Sequence, residues 1–304
     1  MPGQIKYLSI LTAVIFFTAF PAFSEKYADG LSLILILLFG IPHGAADHII
    51  FSRIGKSFYG ARKLNSFILT YLLLGLGFLF IWGISPLKAL ILFILISIYH
   101  FGQEHFESLD PNQWLTKINM FSWGAFVLLF PLLWHSDTTI FFVEQIVSTS
   151  IQPLDNTVLL LSLVIIVSAP CVSIFLLWKS GILNTERLIS ELVQIALLIV
   201  LYITTPLLVG FSIYFVFWHS LHAMEDQYIF LRMKTKNYTI TRYFRDILPL
   251  SIVAIAFVSI LGFYLMNQTG YNLFSFVFIL IALITLPHIL LFEKLYAAKN
   301  AQPV

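Results

Sequence analysis

The sequence contains one cysteine. Cys171 has no second thiol to pair with, so an internal disulfide and any cysteine-based zinc or iron–sulfur site are excluded. It sits in an apolar run and reads as an inert buried thiol. Charge is also scarce. Only 11% of the 304 residues are Asp, Glu, Lys or Arg, against about 25% in a soluble domain. With 59% apolar residues and a mean hydropathy of +0.92, the chain falls outside that class. No basic arm or patch is long enough to suggest nucleic acid, and a net charge of +2 adds nothing to that case. His-Glu-x-x-His is missing, which argues against a zincin-type protease. The dense Glu-x-x-His sets of di-iron proteins are missing too. The longest non-apolar segments run about 12–20 residues, the size of loops, so a soluble domain has no room.

What is abundant is apolar sequence in long runs. A membrane span needs roughly 20 apolar residues. Ten runs qualify: 6–23, 31–51, 65–83, 87–106, 118–134, 156–178, 188–205, 208–230, 247–266 and 272–292. The seventh and eighth are divided at Thr204-Thr205-Pro206, because Pro206 and Gly210 can break the run. Lipid leaves such a pattern no way but helices to satisfy its backbone. The expected fold is an all-α polytopic membrane bundle of about ten transmembrane helices, with residues 1–304 as one integral-membrane domain. Lys6, a short apolar run and Ala22-Phe23-Ser24 resemble a signal peptide with its cleavage site. Removal of residues 1–24 would leave nine spans in the same orientation.

Lys and Arg in short loops set orientation. Segment 52–64 carries Arg53, Lys56, Arg62 and Lys63; segment 231–246 carries Arg232, Lys234, Lys236, Arg242 and Arg245. Lys179, Arg187, Lys294 and Lys299 fall on the same side of a ten-span path, whereas 24–30, 84–86, 135–155 and 267–271 are poor in cations. Both termini are therefore expected in the cytoplasm, in a multi-pass cell-membrane protein.

Polar breaks in the apolar runs carry the chemistry. Ionisable groups within a bilayer are costly and usually face a protein interior with a job to do. Gly40-Ile41-Pro42-His43-Gly44-Ala45-Ala46-Asp47-His48 interrupts the second run, and Tyr99-His100-Phe101-Gly102-Gln103-Glu104-His105 the fourth. Both read His, three residues, acid, His. Trp218-His219-Ser220-Leu221-His222 follows in the eighth run. Residues three or four apart share a helix face, so His219 and His222 can point at one ion. His43 is placed to share a face with Asp47, His100 with Glu104 and His222 with Asp226. Metal-bound imidazoles usually give their second N–H to such an acid. His43, His100, His219 and His222 are the candidate metal ligands, with Asp47, Glu104 and Asp226 as orienting or ligating acids. Imidazole suits zinc, copper, iron or nickel. An apolar, aromatic pocket with 30 Phe in the chain favours non-haem iron acting on a greasy substrate. Phe101, Tyr214, Phe217, Trp218 and His288 are the candidate pocket residues. His48 and His105 lie five residues beyond their partners, about 140° around the helix; both read as capping or interface histidines, and His135 as an interfacial one. Gly44 and Gly102 read as packing contacts.

At these same motifs the chain resembles the Brp/Blh family of bacterial and archaeal β-carotene 15,15'-dioxygenases. The resemblance rests on Pro42-His43-Gly44-Ala45-Ala46-Asp47-His48, Tyr99-His100-Phe101-Gly102, Trp218-His219-Ser220 and Pro287-His288, in that order, from about residue 31 to 292. It implies a membrane enzyme that uses Fe(II) and O2 to split β-carotene centrally into two molecules of retinal, with a functional link to a rhodopsin. It implies iron on His43, His100 and His219. The family's third motif places its second His four residues on; here that position is Ala223, and His222 stands one residue earlier. A three-His site, or a ligand shifted to Asp226 or His288, stays open. Two other classes remain in play. A different membrane metalloenzyme would differ in its metal. A transporter with a His-and-acid pathway would show inverted repeats and broken helices, and the echo at His43 and His100 runs in one orientation only.

Overall fold

A computed structural model of the protein describes residues 3–54, 63–266 and 273–300. Among these residues the secondary structure is helical and contains no strand. The order is α1 (Gly3–Ala19), α2 (Pro21–Ala45), α3 (Asp47–Ile54), α4 (Lys63–Ile84), α5 (Pro86–His105), α6 (Trp114–Trp134), α7 (Ser136–Val147), α8 (Asn156–Lys179), α9 (Thr185–Thr204) and α10 (Leu207–Tyr214). A π-helical turn, Phe215–Ser220, follows, then α11 (Leu221–Lys234), α12 (Ile240–Met266) and α13 (Leu273–Asn300).

Local sequence explains the boundaries. Pro21 and Pro86 open α2 and α5, at the position where a missing N–H costs nothing. Asp155 accepts a hydrogen bond from Thr157 N at 2.8 Å and caps α8; Asn184 does the same for Arg187 N, also at 2.8 Å, at α9. α9 ends at Thr204 and α10 starts after Pro206, at the expected break. Gly210 serves packing rather than breaking there: a Cβ on it would lie 2.9 Å from the Tyr202 ring.

Among the described residues, eight helices are long and apolar enough to cross a membrane, and two shorter apolar stretches, Ile5–Ala19 and Phe278–Phe292, fall in the first and last expected spans. The chain is thus an all-α, polytopic membrane protein. α7 was not expected; it occupies part of the 135–155 connection. The expected cations Lys56 and Arg62, and the 267–271 connection, lie outside the described residues.

The helices group into two compact units. One holds α1, α2 as far as Ile36, α5 from Ile94, α6 and on to Phe141, and Ser150 through His219. Its core is built on Trp123, Phe126, Val127, Leu198, Leu201 and Tyr202, each 0–1% exposed. In this unit α6 packs on α8, α9 and α10, and α1 packs on α9. α5 and α6 meet through two glycines. A Cβ on Gly102 would sit 1.7 Å from Met120 O, and one on Gly124 1.7 Å from Ile98 O. Only glycine permits that approach. The second unit holds Leu37–Phe93, Phe142–Thr149 and the chain from Ser220. There α3 packs on α4, α11 and α13 around Ala46, Ile50, Phe230 and Phe292.

Candidate metal centre

In the first unit, α5 presents His100 and Glu104 one turn apart, on one face. The π turn supplies His219. Wide turns of this kind are rare and recur at functional sites. Glu104 Oε2 engages His219 Nδ1. The three residues each offer a ligand atom, and these atoms lie within 4.8 Å of one another. All are buried, His100 and Glu104 at 0–1% exposure and His219 at 4%. Aromatic rings fix the imidazoles. Phe101 stacks on His219 at 4.3 Å between ring centroids and Phe215 at 5.2 Å, while His100 meets His219 edge-on at 5.1 Å. Tyr214 stacks on Phe101 at 5.9 Å and on Trp218 at 6.2 Å. Two imidazoles and a carboxylate in a water-poor pocket are the donor set of non-haem Fe(II) sites. The residues therefore fit a divalent metal of that kind.

A second constellation lies wholly in the other unit. α2 stops at Ala45 and α3 begins at Asp47, with Ala46 O accepting from both Ile49 N and Ile50 N at 3.0 Å. The break separates His43 from Asp47, which a continuous helix would have kept on one face. Asp47 serves His288 instead: His288 Nδ1 lies 2.9 Å from both carboxylate oxygens, and Tyr71 donates its hydroxyl to Oδ2. The His43 and His288 rings meet edge-on at 4.7 Å. Helix ends leave carbonyls without intrahelical partners. Gln227 Nε2 donates to His43 O at 2.7 Å, and Tyr243 in turn donates to Gln227 Oε1 at 2.6 Å.

The remaining histidines have partners of their own. His48 Nδ1 bonds Ala45 O at 2.8 Å, at the α2 terminus. His135 Nε2 bonds Tyr202 O at 2.9 Å. His105 stacks on Trp123 at 3.8 Å and meets Glu191. His222 has a side chain 28% exposed, with Nε2 3.9 Å from Asp226 Oδ2. Tyr71, Glu191 and Gln227 were not expected. Glu191 could have been found, as an acid within the apolar run 188–205; Tyr71 and Gln227 carry no such signal.

A cavity of about 390 Å³ also lies within the first unit, between α1, α2 and α10, and reaches Phe217 of the π turn. Its lining is mainly apolar, with Ala13, Phe17, Val209 and Ile213 among the buried residues. The hydroxyls of Ser9, Ser32 and Ser212 turn to their own helix carbonyls, Lys6 O, Ala28 O and Val209 O, at 2.7–2.9 Å. The walls so offer little hydrogen bonding to an occupant.

Comparison with known proteins agrees with the motifs. The sequence model of the family described as Beta-carotene 15,15'-dioxygenase matches residues 34–296. A Beta-carotene 15,15'-dioxygenase of an uncultured marine bacterium is 32% identical over 198 residues, 63% of this chain and 66% of that protein. The match thus spans just under two thirds of that relative's length. Blh of Halobacterium salinarum, named a probable beta-carotene 15,15'-dioxygenase, is 22% identical over 282 residues, 83% of this chain and 80% of that protein. No solved structure matches the chain. The family match covers His43, His100, His219 and His288 together, and the chain belongs to the Beta-carotene 15,15'-dioxygenase family.

Proposed function

We propose that the protein splits β-carotene, or a closely related carotenoid, at its central double bond with O2 to give retinal. The observation that carries this is the buried His100–Glu104–His219 group in a chain of this family. We further propose that the metal is iron(II), held by His100 and His219 with Glu104 as ligand or orienting acid. The motif resemblance adds His43 to the ligand set; helix spacing adds His222, with Asp47 and Asp226 as orienting acids.

Bound iron(II) would supply the activation of O2 that such a cleavage requires. The protein's own contribution is position and exclusion of water. Phe101 and Phe215 hold the His219 ring in its plane. Glu104, on Nδ1, fixes the tautomer and leaves Nε2 as the donor. The burial of all three residues keeps bulk water from the reacting carbons. The apolar cavity reaching Phe217 suits a hydrocarbon and offers a polar substrate little. Trp218 and Tyr214 complete the proposed pocket residues of this unit. The substrate would enter from the bilayer. From the cation-rich loops we infer cytoplasmic termini, and the retinal would serve a rhodopsin.

Expression in a β-carotene-producing bacterium, followed by retinoid extraction, tests the activity. Retinal is expected; its absence from cells holding folded, iron-loaded protein would overturn the substrate assignment.

A further inference from the structure

A second polar group in the first unit belongs to neither the metal cluster nor the cavity. Glu191 is fully buried on α9. Its Oε2 accepts from His105 Nε2 at 2.7 Å and from Gln194 Nε2 at 3.2 Å, and its Oε1 from Arg187 Nε. Gln194 Oε1 then accepts from Trp218 Nε1 at 2.9 Å. The chain of bonds runs from α5, through α9, to the π turn. Its two ends adjoin the metal cluster: His105 follows Glu104 directly, and Trp218 precedes His219. His105 is pinned further by its stack on Trp123, with the rings 13° from parallel.

A buried carboxylate in a membrane helix is expensive unless its partners are well placed, and here each oxygen has one. A π turn is rare and interrupts the regular α-helical register around it, so an outside anchor helps it keep one geometry. A satisfied buried network rigidifies what it joins. Metal ligation tolerates little slack, so ligands are held through the groups behind them. We propose that Glu191 and Gln194 are positioning residues: from α9 they fix His105 and Trp218, and so set Glu104 and His219 at the separation a metal requires. This rests on the metal site proposed above.

The test uses the full-length protein in detergent, loaded with Fe(II). Iron retention against a chelator series is measured beside thermal unfolding of the metal-free protein. Gln194→Leu is expected to weaken iron binding on the order of tenfold, beyond the modest fall in unfolding midpoint that follows when Glu191 and Trp218 each lose a partner. Trp218→Phe removes the indole donor while keeping an aromatic ring in its place, and should cause a similar loss. The double variant should lose little more than Gln194→Leu alone, because the Trp218 bond is already absent there. Trp218→Phe gives the same readout if Gln194→Leu does not accumulate. Wild-type iron retention in both variants, or losses that simply follow unfolding, would overturn the positioning role alone. A folded wild type that binds no iron overturns the metal site, and this inference with it.

Discussion

Glu104 reaches the imidazole of His219 from one helical turn beyond His100. A single turn of α5 thus supplies both a candidate ligand and the acid that holds another. Removing that acid should loosen the site without emptying the fold. Glu104→Ala is expected to lower iron affinity by about 10–100-fold, read as metal content after dialysis against a chelator. Unchanged content would remove Glu104 from the site.

His100→Ala and His219→Ala should each abolish both iron content and carotenoid cleavage. Iron retained in both variants would refute the centre. His43→Ala and His222→Ala, assayed in the same way, decide whether the motif's other histidines belong to the ligand set.

The α5–α6 crossing leaves no room for a side chain. Gly102→Ala and Gly124→Ala each drive a methyl into a backbone carbonyl at 1.7 Å, and should cost about 3 kcal/mol or more. Gly77→Ala, which meets nothing within 4 Å, is the control and should fold normally. Thermal unfolding in detergent separates them, and equal midpoints for all three would contradict the packing described.

Tyr71→Phe leaves the Asp47 carboxylate one donor short while keeping the ring. A buried charged acceptor that loses a partner costs about 1–3 kcal/mol, so the unfolding midpoint should fall. Tyr71→Ala should fall further, because it also loses the ring contact with Phe67, at 4.4 Å.

The cavity can be closed from its floor. Ala13→Phe or Ser212→Phe fills space beside α10. Each should reduce cleavage of the full-length carotenoid while iron content stays at the wild-type level. Undiminished cleavage in both variants would mean the substrate lies elsewhere.

The all-α membrane class, and the break at Pro206, were legible because the apolar runs are long and proline removes a donor. That His100 and Glu104 share a face was legible too, since i,i+4 geometry holds along an unbroken α5, although Glu104 turns to His219. The same rule failed at His43 and Asp47, where the chain breaks at Ala46 and the acid turns to His288, 241 positions along the chain. No local pattern announces a partner at that distance. Glu191 followed the logic applied to the histidines, but an acid without a neighbouring His gave no motif to notice. The π turn had no sequence mark at all, because its residues are ordinary helix formers.

That turn has a consequence for reading the third motif. An α-helix advances about 100° per residue, so one inserted or deleted residue rotates everything downstream. A π turn absorbs such a slip, taking up one residue and returning the following helix to phase. Counting positions across Phe215–Ser220 therefore does not give angles, and His222 need not do what its distance from His219 would dictate on a regular helix. Deleting Val216 should turn Phe215–Ser220 into regular α-helix while leaving α11 in phase, so that Gln227 keeps its bond to the carbonyl of His43. The wide turn is in this sense a phase coupling: it lets the helical segments before and after it keep separate partners.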